Sequence, residues 1–174
     1  GMVYPEVERK VREVPYKTPC VVYRNLGGGK FEELTTEAGP GVAAAHSSRG
    51  VAFGDFDNDG DLDILVMNMN EPPSLLRNDM TGSNHWLKVK LIGVTSNRSA
   101  IGAQVIATYG DRRQAQAVLA QSSYLSVNDR RLHFGLGRET KASLEIRWPN
   151  GGRETIANVT ADRMVVVKEG LGIQ

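Results

Sequence analysis

Nine residues constrain this chain more than any others: Asp55-Phe56-Asp57-Asn58-Asp59-Gly60-Asp61-Leu62-Asp63. Five of them are aspartate. At an effective dielectric near 20, two like charges about 4 Å apart repel by roughly 4 kcal/mol. A compact turn holds such a cluster only if water or a cation screens it. Asp55, Asp57 and Asp59 alternate, so a tightly curled backbone can aim all three carboxylates at one centre. Gly60 stands where an EF-hand loop makes its sharp turn. Asp61 is then expected to offer its backbone carbonyl with its side chain toward solvent, and Asp63 to close the loop as the last carboxylate. All these donors are hard oxygens. The loop has no Cys and no His lies near it in sequence, which disfavours zinc and copper. Calcium accepts several oxygens in flexible geometry and fits best, whereas magnesium demands a stricter octahedron. The expected metal ligands are therefore Asp55, Asp57, Asp59, Asp61 and Asp63. The competing reading is an acidic, solvated hairpin turn without metal.

The flanks rule out an EF-hand. That motif ends its loop on a Glu and sits between helices; here the corresponding position is Val66, inside an apolar run. Arg49-Gly50-Val51-Ala52-Phe53-Gly54 upstream and Leu62-Asp63-Ile64-Leu65-Val66-Met67 downstream are short runs that read as strands. The element is strand, metal loop, strand. The stretch from Val51 to Ile64 resembles the FG-GAP/VCBS repeat of integrin-type β-propellers. The resemblance implies a propeller-type blade whose loop binds structural calcium.

The chain carries an internal repeat. Pro19, Arg24 and Asn25 recur as Pro72, Arg77 and Asn78, and Val22-Tyr23 aligns with Leu75-Leu76, always at an offset of 53 residues. That period suits one four-stranded blade with its loop. Shifted back by the same offset, a preceding metal loop would begin near Met2, so the earlier copy lacks one. The expected content is the tail of one blade followed by one nearly complete blade. Blades need neighbours to bury their faces, so the chain is expected to be a fragment of a longer protein. Its upstream part would carry more blades and the export signal.

Residues 79–84 are mostly small and polar and mark a boundary, dividing the chain into 1–82 and 83–174. Beyond it the pattern changes. Trp86-Leu87-Lys88-Val89-Lys90-Leu91-Ile92 alternates apolar and basic residues, the pattern of a half-buried strand. Further strands are expected over 103–109, 114–119, 131–137, 143–148, 154–156 and 164–167, with 122–126 a shorter candidate. Pro149-Asn150-Gly151-Gly152 makes a hairpin turn. Seven or eight short strands at this spacing predict an antiparallel β-sandwich. The fold class is thus all-β, partial propeller-type blades followed by a sandwich. Asn84-His85-Trp86-Leu87, Ser96-Asn97-Arg98 with Ile101-Gly102-Ala103, Ser123-Tyr124-Leu125-Ser126, Leu132-His133-Phe134-Gly135-Leu136-Gly137 and Arg147-Trp148-Pro149-Asn150-Gly151 together resemble the ASPIC/UnbV domain. That domain commonly follows FG-GAP/VCBS repeats in extracellular proteins of the cartilage-acidic-protein type. The resemblance implies an extracellular, cell-surface or periplasmic setting and no catalytic residues.

Other chemistries find little support. With a formal net charge of +1 the chain has no broad basic field for nucleic acid. No apolar run approaches the length of a membrane span, and no signal peptide is visible. Cys20 is the single cysteine, without a nearby His, and reads as an incidental thiol. Gly27-Gly28-Gly29-Lys30 lacks P-loop spacing and reads as a tight hairpin turn. Ser126, Asp129 and His133 are close in sequence, but a triad is defined by geometry, and no nucleophile elbow is present. His46, His85 and His133 are too scattered to suggest a metal site. Asn97-Arg98-Ser99 and Asn158-Val159-Thr160 are glycosylation sequons. Trp86, Tyr124 and Trp148 are candidates for a sugar-binding surface, with core packing as the plainer role. The expected function is a calcium-stabilised, non-catalytic extracellular interaction module. Its partner is a protein or a glycan, and homo-oligomers pairing incomplete blades stay open. The alternative is a carbohydrate-binding or enzyme-associated domain acting on glycans.

Overall fold

A computed structural model of the chain describes residues 2–11 and 13–174. The fold is nearly all-β, as expected, and the described residues form four separate sheets, none of them closed. The described residues form two compact units. The first comprises the described residues up to Ala52 together with Asp63–Arg77 and Ser123–Ser126; the second comprises Phe53–Leu62, Asn78–Ser122 and Val127–Gln174.

In the first unit, one helical turn α1 (Val7–Lys10) precedes the hairpin of β1 (Tyr23–Gly27) and β2 (Lys30–Glu33). The two strands are antiparallel. Gly28 and Gly29 connect them with φ of 59° and 73°, the doubly left-handed turn that matches the twist of the strands. After the short α2 (Pro40–Ala43) come β3 (Ser48–Gly54), β4 (Asp63–Asn68) and β5 (Ser74–Leu76), which form a sheet in that order. Tyr23 opens β1, and Leu76, 53 residues further on, ends β5. From Ile64 onward strand β4 alternates as a sheet with one covered face does, burying Val66 and Asn68 between exposed Leu65 and Met67, while Asp63 is buried at its start out of that phase. Little else is covered. Val21, Tyr23, Leu26, Phe31, Leu65, Met67 and Leu75 are all exposed, so this unit displays much of its apolar surface rather than enclosing it.

The second unit holds the core. Its strands are β6 (His85–Ile92), β7 (Gln104–Tyr109), β8 (Arg112–Ala117), β9 (Leu132–Gly137), β10 (Lys141–Arg147), β11 (Arg153–Thr160), β12 (Arg163–Lys168) and β13 (Gly172–Ile173). They build two four-stranded sheets, ordered β11-β10-β7-β8 and β13-β12-β6-β9. One pair, β6 with β12, is parallel. Parallel strands need a long connection, and here β7 to β11 supply it. Every second residue faces inward: Leu87, Val89 and Leu91 from β6, Leu132, Phe134 and Leu136 from β9, and Leu144 and Ile146 from β10 join one buried cluster. Trp148 belongs to this cluster, so its indole packs the interior and serves no sugar platform. Tyr124, by contrast, is exposed in the first unit. Strand β8 alternates exposed and half-buried positions and carries Arg and Gln, polar chemistry that suits a sheet edge.

Glu169 fastens the loop after β6. Its carboxylate accepts hydrogen bonds from the amides of Val94, Thr95 and Ser96 at 2.7–2.9 Å, from both hydroxyls of Thr95 and Ser96, and from Asn150 Nδ2. Burial pushes this carboxyl up, but the donors outweigh it and bring its pKa from 4.5 to about 2. In the same loop the Asn97 amide bonds at both ends to the backbone of Ile101.

Candidate metal centre

The backbone of the aspartate-rich loop curls because two of its residues adopt left-handed conformations, Asn58 at φ 62° and Gly60 at φ 104°. Asn tolerates this region and Gly favours it. Gly60 is required for a second reason: a Cβ there would lie 2.0 Å from Trp86 Nε1. The indole covers the loop at that point and stacks on His133, with ring centroids 6.0 Å apart.

The curl gathers three of the five expected ligands. Asp55, Asp57 and Asp63 each offer a carboxylate oxygen, and these atoms lie within 4.8 Å of one another. Asp55 and Asp63 are each only 2% exposed, while Asp57 stands toward solvent. Asp59 is outside this group: its Oδ1 accepts the Asp61 amide at 2.9 Å, an Asx turn that shapes the loop from within. Asp61 is half-buried.

Asp55 is the pivot. Its Oδ2 forms an ion pair with Lys88 Nζ and accepts the Gly60 amide at 3.0 Å. Its Oδ1 is buried without a hydrogen-bond partner. Burial would raise its pKa, but the Lys88 hydrogen bond and charge, with the Gly60 and Asn58 amides, hold it below 3.8. The group is therefore an anion at neutral pH with one oxygen still open. An orphaned carboxylate oxygen costs its full desolvation, and a hard cation between Asp55, Asp57 and Asp63 would satisfy it. The donor set fits a metal of the calcium type.

Residues of the second unit hold the loop in shape. Lys88 Nζ also reaches Asn58 Oδ1 at 3.4 Å and lies 5.5 Å from the centre of the Trp86 ring. Arg131 donates to Asn58 Oδ1 at 2.6 Å and to the Asp55 carbonyl at 3.0 Å, while its Nε pairs with Asp129 at 2.6 Å. His133 Nε2 lies 2.6 Å from the Gly60 carbonyl, which accepts its N–H hydrogen bond. Phe53 donates its amide to Asn128 and accepts one from Asp129. None of these supports was expected from sequence. The alternation in β6 predicts a polar face toward water, yet Lys88 is 1% exposed.

Ser126, Asp129 and His133, which no sequence signal marks as a triad, each have other partners. Asp129 is paired with Arg131, His133 with the Gly60 carbonyl, and the Ser126 hydroxyl with the Tyr124 carbonyl. His46 pairs with Glu71 and His85 with Asp162.

Comparison with known proteins agrees with this architecture. Residues 16–66 match the FG-GAP-like repeat model, and residues 93–173 match the ASPIC and UnbV model. This chain carries an FG-GAP-like repeat followed by an ASPIC and UnbV domain. It is also similar to Cartilage acidic protein 1 from mouse (34% identity over 137 residues), human (32% over 155 residues) and Xenopus tropicalis (33% over 154 residues). These matches cover 75%, 86% and 84% of the chain but 20%, 22% and 24% of the relatives. The chain thus spans about a quarter or less of the length of the curated relatives it matches.

Proposed function

We propose that the chain is a calcium-stabilised, non-catalytic interaction module of an extracellular protein, with residues 1–82 as its repeat region and 83–174 as its sandwich domain. The observation that carries this reading is Asp55 Oδ1, a buried anionic oxygen without a partner, within reach of Asp57 and Asp63. Calcium would neutralise the three carboxylates and hold the loop against β6 and β9, with no part in a reaction. Asp61 completes the proposed set through its backbone carbonyl, while Asp59 shapes the loop by capping the Asp61 amide. The extracellular assignment draws on the FG-GAP-like repeat and the cartilage acidic protein relatives. The apolar side chains displayed by the first unit suit an assembly of several blades.

The test is isothermal titration calorimetry with calcium on chelator-stripped protein, beside an Asp57→Ala variant. The expected result is one site in the native chain, lost in the variant, with a calcium-dependent rise in melting temperature that the variant also loses. An absence of both heat and bound metal by elemental analysis would overturn the reading.

A further inference from the structure

Beside the loop, the second unit has an open groove of about 610 Å³ lined by Lys90, Leu91, Ile92, Arg98, Ser99, Asp129, Arg130 and Arg131. It arises from strand geometry. Pairing between β6 and β9 reaches only Val89 and Leu132, so β6 runs on while the segment ahead of β9 turns away. Four cations and one carboxylate line the gap. Arg131 and Asp129 neutralise each other. Lys90, Arg98 and Arg130 are exposed and make no side-chain hydrogen bond or ion pair among the described residues. Three unpaired cations converge on one groove in a chain whose net charge is only +1.

We propose that this groove binds an anionic polysaccharide bearing sulfate groups. Long, flexible cations around an open trough grip a single small anion weakly. A chain of regularly spaced charges engages all three at once and gains from effective concentration. The lining contains no aromatic residue, so it offers no platform for stacking bases, on which single-stranded nucleic acids depend. Sulfates need only charge and N–H donors. The half-buried Ile92 supplies an apolar edge for the faces of sugar rings. This names the partner class of the interaction module and relies on that reading only for its compartment. No calcium carboxylate lines the groove.

The experiment is fluorescence anisotropy of a labelled, size-defined heparin oligosaccharide with the full chain, in calcium and in chelator. The binding constant should fall with added salt, with a log–log slope of about −2 to −3 for three released counterions. The variant Lys90→Ala/Arg98→Ala/Arg130→Ala should bind at least about tenfold more weakly. An equally discharged control, Lys141→Ala/Arg153→Ala/Arg163→Ala, alters exposed side chains outside the groove and should stay within about twofold. Single Arg98→Glu, which removes no packing, should weaken binding in the same direction. The Asp57→Ala variant should still bind, which separates this site from the calcium reading. Four results would each overturn the proposal: no binding at low salt, equal losses in the two triple variants, unchanged affinity in Arg98→Glu, or tighter binding of single-stranded DNA than of heparin.

Discussion

Replacing Lys88 by Met keeps the length of the side chain and removes its charge. Asp55 would then hold a full negative charge at a site 2% exposed, with only the Gly60 and Asn58 amides left to stabilise it. The lost attraction is roughly 4 kcal/mol for unit charges near 4 Å at an effective dielectric of 20. Removing one member of a buried pair costs about 3–5 kcal/mol by comparison with similar cases, and the cation–π contact with Trp86 adds about 0.5–1 kcal/mol. In chelator, urea unfolding should therefore show a midpoint lowered by roughly 1.8–3 M for an m-value near 2 kcal/mol per M. Calcium at about a hundred times its dissociation constant should return about 2.7 kcal/mol, because a divalent ion can take over the carboxylate that Lys88 has released. Adding Asp55→Asn to Lys88→Met removes the stranded charge. The double variant should be more stable in chelator than Lys88→Met alone, with a coupling energy above about 1 kcal/mol. A cost below about 1 kcal/mol for Lys88→Met, the range of exposed pairs, would refute the argument that this lysine is the loop's internal counter-charge.

Two further outcomes follow from the same geometry. Gly60→Ala places a Cβ into the Trp86 indole at a left-handed backbone position, so it should cost at least about 1–3 kcal/mol in urea unfolding. It should also weaken calcium binding in calorimetry, and unchanged values for both would contradict the close approach. For Glu169 the folded pKa of about 2 lies below the ordinary 4.5. Its contribution is full above pH 4.5 and disappears as pH falls toward 2. Thermal melts should show native protein and Glu169→Gln separated at pH 7 and converging between pH 4.5 and 2, whereas curves that stay parallel would remove Glu169 from the acid response.

Much of the site was legible in the sequence because it is local. The alternating aspartates, Gly60 and the apolar flanks lie within one short stretch, and local chemistry decides whether such a stretch can curl around a cation. Asp59 shows where that logic stops. Its spacing matches that of Asp55 and Asp57, but its carboxylate caps the Asp61 amide instead of joining the central group. Spacing limits which carboxylates can converge, and backbone torsions select among them. The sandwich was legible for a similar reason: alternation with a period of two identifies inward-facing residues before any partner strand is known, and Leu87, Val89 and Leu91 are indeed buried. The parallel pairing of β6 with β12 had no local signal, since a strand's own pattern does not name its neighbours.

Lys88 and Lys90 mark the division most clearly. They sit two residues apart on one face of one strand, with the same chemistry and the same apolar neighbours in sequence. From sequence alone both belong to a solvated polar face. In the folded chain Lys88 is sealed beneath the loop against Asp55, and Lys90 stands free in the groove. The sequence by itself determined the strand, its inward face and the acidic loop, all encoded by residues close together. Only the tertiary structure decided which lysine the loop covers, because that depends on where a segment some thirty residues upstream comes to rest.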